Sequence, residues 1–195
     1  MRRFAILGLL GLVACQPAPN LARLPSDIVP SGGADPDRAA IIVTGTAFST
    51  PANLAGHPME AARAVANLEY LAASLPYDPR WTGMNPTVGL SLALGRDEAR
   101  TALGIAGDAP PQPVIDRLYA ASRALAAQDR GAAETLLSAP PFTAGGPITL
   151  TRLAALPPMP RANEAGVLAV AEMWRLQREG TEGGGGSGGG GGAHP

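Results

Sequence analysis

The stretch PMEAARAVANLEYLAASL, residues 58–75, decides the fold. Ala61, Val65, Leu68, Ala72 and Leu75 recur at three- and four-residue steps, while Glu60, Arg63, Asn67 and Ser74 fall on the other side. One apolar and one polar stripe at a period near 3.6 mark an amphipathic helix. Pro58 suits its first turn, where a missing N–H costs no hydrogen bond, and Pro76 ends the run.

The same grammar repeats outward. Residues 111–127 carry a stripe of Val114, Leu118, Ala121 and Leu125, widened by Ile115, with Asp108 or Gln112 placed to cap the start. Gln128-Asp129-Arg130-Gly131 breaks that helix, and residues 132–137 begin a short partner. The pair resembles half of a tetratricopeptide-type hairpin. The repeat's aromatic and glycine signature is missing, and no second copy recurs at a fixed period, so a repeat protein is not indicated. Residues 147–156 and 161–178 read as two further helices. The second shows Val167, Val170, Ala171 and Trp174 on one face, with Arg175 and Arg178 in its last turn, where positive charge suits the helix dipole.

Two segments are ambiguous. Residues 87–95 alternate Val88, Leu90, Leu92 and Leu94 with Gly89, Ser91, Ala93 and Gly95, which argues strand. Asn85-Pro86 is nevertheless a good helix start, and 97–103 continue in helical style, so helix is favoured. Residues 40–48 pose the same choice. The alanine-rich, threonine- and tyrosine-poor composition leans the same way. The expectation is an all-α, irregular bundle of six or seven short helices over residues 36–180. Val65, Leu68, Leu118, Leu125, Val170 and Trp174 should be buried. A small α+β domain is the alternative if 40–48 and 87–95 pair as strands.

The flanks have another character. Residues 15–35 contain Pro17, Pro19, Pro25 and Pro30, then Ser31-Gly32-Gly33, and read as an extended tether with a reach up to about 60 Å. Residues 181–195 are glycine-dominated, cannot bury apolar surface, and are expected to be disordered. At the start, Arg2-Arg3 precede 11 uncharged apolar and glycine residues, 4–14, in the manner of a secretory signal. That run is too short to cross a bilayer core, which needs about 20 residues.

The signal ends Leu12-Val13-Ala14-Cys15. This resembles the lipobox of bacterial lipoproteins. The resemblance covers residues 1–15 and implies that residues 1–14 are removed and that Cys15 carries a diacylglycerol anchoring the chain to an envelope membrane. Gln16 follows, where aspartate in that class commonly retains a protein in the inner membrane. The resemblance therefore favours the periplasmic face of the outer membrane.

Composition narrows the function classes. Cleavage leaves 13 arginines against 16 acids and a net charge near −3, without a basic face for nucleic acid. Cys15 is the only cysteine, so no disulfide forms within the chain and no other thiol can act as a nucleophile. Of the two histidines, His194 lies in the glycine-rich tail and His57 precedes Pro58 as a turn residue. No HExxH or CxxC appears, and neither metal nor cofactor is implied. Gly89-Leu90-Ser91-Leu92-Ala93 lacks the last glycine of a nucleophile elbow. Paired carboxylates acting on glycan remain an alternative, although the acids lie mostly on wet faces without an aromatic sugar platform.

The aromatic cluster Tyr70, Tyr77 and Trp81 is more informative. Residues 75–81, LPYDPRW, join two helices and combine the residue types that anchor interfaces. Tyr77, Arg80 and Trp81 are therefore the candidate partner-binding residues. Under the competing reading, Tyr77 and Trp81 close the core between helices. The functional expectation is a membrane-anchored envelope lipoprotein with a non-catalytic interaction or accessory role toward an envelope protein. A carboxylate enzyme, or a small-ligand binder with an apolar pocket near Trp81, are the rivals.

Overall fold

Proline is the first residue of five of the seven helices described and the second of a sixth, because its fixed φ fits the first turn and its absent N–H needs no acceptor there. The structure, a computed structural model, describes residues 21–27 and 35–183. Within them α1 is Pro36–Ala47, α2 Pro58–Ser74, α3 Pro86–Leu103, α4 Pro111–Ala126, α5 Arg130–Leu136, α6 Gly146–Ala154 and α7 Pro160–Gly183. Short 3-10 helices cover Pro51–Asn53, Leu75–Tyr77 and Pro79–Trp81. Side chains cap several starts: Asp35 accepts from the Asp37 N–H (3.0 Å), Asn85 from Thr87 (3.0 Å) and Asp129 from Ala132 (2.8 Å). At α4 the capping position is Pro110, with no side-chain cap, so neither Asp108 nor Gln112 has the expected role.

The seven helices form an all-α bundle without strands among the described residues, as expected. The α+β alternative is not realised. Residues 40–48 fall almost wholly within α1, and 87–95 lie inside α3. In α3 the buried set is Val88, Ser91, Leu92, Gly95, Ala99, Arg100 and Leu103, a helical spacing, while Leu90 and Leu94 are exposed. The alternation was therefore a coincidence of composition. A single bridge among the described residues, Ile105 to Phe142, ties two loops together.

At the centre α2 packs against α1, α3, α4 and α6. A helix surrounded in this way has almost no wet side. Asn67 and Ser74, expected on its polar stripe, are buried, and so is Glu69. Each finds a partner. Asn67 accepts from the Tyr119 hydroxyl, Ser74 donates to the Ala22 carbonyl (3.0 Å), and Glu69 takes Arg100 in a two-pronged pair (2.6 and 2.8 Å). Arg100 also donates to the Gly107 carbonyl (2.8 Å).

The expected core requires correction on two helices. Val65, Leu68 and Leu118 are fully buried, but Leu125 and Val170 are only half-buried and Trp174 is 45% exposed. The inward face of α7 is Ala162, Ala165, Ala169 and Met173. The cause is close helix approach. A Cβ on Gly166 would lie 2.8 Å from the Cα of Gly45 in α1, and one on Gly95 in α3 would lie 3.0 Å from the Cα of Ala162. Backbones this near admit only small side chains, so alanines fill the inward positions at these crossings and Val167 and Trp174 turn outward, while Met173 is buried beyond them.

The folded unit also extends past the expected limits. Residues 21–27, within the stretch read as tether, lie on the bundle. Ala22 joins the core and Leu24 packs against it. Gln112 clasps the backbone of Arg23, accepting from its N–H (2.8 Å) and donating to its carbonyl (3.0 Å). Asp27 pairs with Arg123 at 2.6 Å. At the other end α7 continues to Gly183, three residues into the expected tail. The signal peptide, Cys15, the rest of the tether and residues 184–195 lie outside the described residues.

Candidate functional site

The loop between α2 and α3 is fastened to α1 through one carboxylate. Asp37, 2% exposed, accepts from the Tyr70 hydroxyl, from the Trp81 indole Nε1 (2.8 Å) and from the Arg80 guanidinium (2.5 Å). Arg80 also grips Asp78 (2.6 Å) and reaches Asp35 (3.4 Å). These bonds shift the groups predictably. The hydrogen bond from Arg80 holds the Asp78 carboxyl below its usual range, and the bond to Asp78 raises the Arg80 guanidinium further. Burial, then the bond to Asp37, pushes the Tyr70 hydroxyl up. The far end of the loop is pinned by α7. Glu172 accepts from the Asn85 N–H (2.7 Å), and Arg175 donates to the Gly83 carbonyl (2.8 Å) while pairing with Glu172 (2.5 Å). Arg175 in turn holds the Glu172 carboxyl below its usual range.

The three candidate binding residues thus separate. Trp81 is 6% exposed, its Nε1 engaged by Asp37 and its ring covered by Arg38 at 5.7 Å, so it closes the bundle. Arg80 leaves about half its side chain to solvent, but its charge is engaged by three aspartates. Tyr77 alone is a free aromatic surface, at 62% exposure. It borders a groove of about 1200 Å³ with Leu21, Arg23, Asp78, Arg80 and Arg96. The neighbouring groove, which Trp81 itself lines, mixes apolar Leu75, Met84 and Leu90 with polar Asp78, Thr82, Asn85 and Arg96.

The interior offers little for acid–base chemistry. The buried carboxylates Asp37 and Glu69 are both fully partnered, and they serve different sides of α2. Asp37 meets Tyr70 and Glu69 faces Arg100, and adjacent residues of a helix point about 100° apart. Burial pushes the Tyr119 hydroxyl up to about 12. Ser91 is buried inside α3, and His57 is an exposed residue at the start of α2 that makes no capping bond. Among the described residues no three of His, Cys, Asp and Glu gather as a metal site.

A surface missed by sequence reasoning is the outer side of the α1–α7 pair. The two helices run antiparallel. Arg38 meets Gln177 (2.7 Å), Gly45 meets Gly166, and Asn163 donates to the carbonyl of Phe48 (2.8 Å). Ile42 lies between the first two contacts, level with Val170 to Trp174. Ile42 (46% exposed), Val167 (56%) and Trp174 (45%) flank this seam, with half-buried Val170 in it. The apolar stripe of α7 was legible; its outward direction was not, because hydrophobicity alone ranks tryptophan and valine above alanine for burial.

Comparison with known proteins adds no relative: no family model, no curated protein and no solved structure matches the chain.

Proposed function

We propose that this protein is a lipid-anchored envelope lipoprotein, held by Cys15 and favouring the periplasmic face of the outer membrane, whose role is non-catalytic docking of an envelope protein. The observation that carries the docking reading is the outward stripe of Ile42, Val167 and Trp174. Large apolar side chains aligned on one face favour a partner surface, and tryptophan is the residue type that most often dominates binding energy. The full engagement of Asp37 and Glu69 weighs against the carboxylate enzyme. The anchor reading is supported by Leu12 to Cys15 and the apolar run before them. No helix among the described residues is long and apolar enough to cross a membrane. Leu21 is six residues from Cys15, so lipid on that sulfur holds the bundle within about 20 Å of the bilayer.

Two substitutions test the two halves. Cys15→Ser should abolish labelling by a fatty-acid analogue; equal labelling of variant and wild type contradicts the anchor. Trp174→Glu should leave the thermal midpoint nearly unchanged, since the side chain is half exposed, and reduce partner recovery after crosslinking in the envelope at least tenfold. Full recovery with Trp174→Glu removes the docking face.

A further inference from the structure

A different cavity lies at the opposite end of α1 from Asp37 and the Trp81 loop. It has a volume of about 360 Å³ and sits between the end of α1, the 3-10 helix that follows, and the linker from α6 to α7. Phe48, Leu54 and Met159 contribute buried apolar surface, with Leu156 and Ala47 half-buried beside them. Pro51, Pro157, Pro158 and Pro160 frame it. Hydrogen bonds join the walls. The Gly56 N–H donates to the Ala154 carbonyl (2.8 Å), and Asn163 Nδ2 donates to the carbonyls of Phe48 (2.8 Å) and Ser49 (3.0 Å). Proline restricts the backbone of the frame, so the cavity loses little entropy when filled.

Its chemistry is one-sided. No ionisable side chain lines it. The four prolines carry no N–H. The N–H groups of Phe48, Ser49, Leu54 and Asn163 are already bonded to the carbonyls of Thr44, Thr46, Pro51 and Met159, and Asn163 Nδ2 is engaged as above. A carboxylate or phosphate would meet no cation there, so the desolvation of its charge would go largely uncompensated. A neutral apolar body, with at most a donor of its own directed at a carbonyl, carries no such cost. The volume is at the lower end of the range for small-molecule sites.

We propose that this cavity is a binding site for a small, neutral, apolar ligand bearing at most a hydrogen-bond donor, separate from the α1–α7 docking face and from the Trp81 loop. The test uses the chain from residue 15 onward with Cys15→Ser, which holds every described residue and needs no detergent. The probe is N-phenyl-1-naphthylamine, neutral with one N–H, and its sulfonated anionic relative 8-anilinonaphthalene-1-sulfonate is the comparison. The neutral probe should bind saturably at one site, and the anionic one at least tenfold more weakly. In protein with isotope-labelled methionine methyls, Met159 should show the largest shift change on adding the neutral probe. Ala47→Phe and Leu156→Trp, checked for fold by circular dichroism, should each weaken its binding at least tenfold, whereas Trp174→Ala should leave it unchanged. Three results overturn the assignment: no saturable binding of the neutral probe, equal affinity for the anion, or a largest response at a methionine other than Met159. A folded, cavity-filled variant that binds as tightly as the parent does so equally.

Discussion

Asp37 sits in the first turn of α1 and takes three side-chain donors, from Tyr70, Arg80 and Trp81. A buried carboxylate without partners would cost several kcal/mol, and here each donor comes from a segment that must be held in place. The loop therefore depends on charge, and acid should release it. Arg80 lowers the Asp78 carboxyl below the free value, about 3.9, so the folded form takes up its proton less readily than the unfolded chain. The stabilisation from this pair is complete above the free value and is lost as pH falls through the lower folded one. Glu172, lowered by Arg175, works in the same direction at the other end of the loop. In a Trp174→Phe background, Trp81 emission should stay constant from neutral pH to about 4 and shift red only below it. A transition centred well above that contradicts the assignment. Tyr77, Arg80 and Trp81 were legible in sequence as a cluster. That Asp37 gathers two of them was not, because its spacing from Trp81 crosses a helix and two loops.

Helix positions were readable from proline punctuation and apolar period. The direction of a helix was readable only where large side chains face the core. In α4, Val114, Ile115 and Leu118 do so, and the expected stripe is the buried one as far as Ala121, with Leu125 only half-buried. In α7 Val167 and Trp174 face out, because Gly45 and Gly166 bring two backbones together and the inward positions near that crossing are alanines. Sequence periodicity records where apolar residues recur, and distance between axes decides which of two apolar faces goes in. Gly166→Ala should therefore destabilise by about 1–3 kcal/mol through overpacking, although alanine is the better helix former by about 1 kcal/mol. Gly131→Ala, at an exposed position of α5 whose new Cβ would meet only Asp129 Oδ1 at 3.7 Å, should stabilise by about 0.5–1 kcal/mol. Urea unfolding measures both. Equal or greater stability for Gly166→Ala contradicts the close crossing.

At the scale of the molecule the bundle has a direction. Leu21, the first described residue, lies beside the Tyr77 groove. The apolar cavity opens at the other end of α1, about 18 Å away along a 12-residue helix. Under the lipid-anchor reading the first end is the one nearer the membrane, and the α1–α7 stripe runs along the side between them. Of this arrangement the all-helical character was legible in the sequence. The docking of residues 21–27 was hidden because Ala22 and Leu24 sit among prolines that look like spacer. The central claim is that the α1–α7 face holds a partner. Its most direct measurement is site-specific photocrosslinking in the native envelope, with the photoreactive residue at position 174 or at position 130 on exposed α5. Position 174 should give a discrete heavier adduct that position 130 does not. No adduct at 174, or the same adducts at both, would contradict the claim.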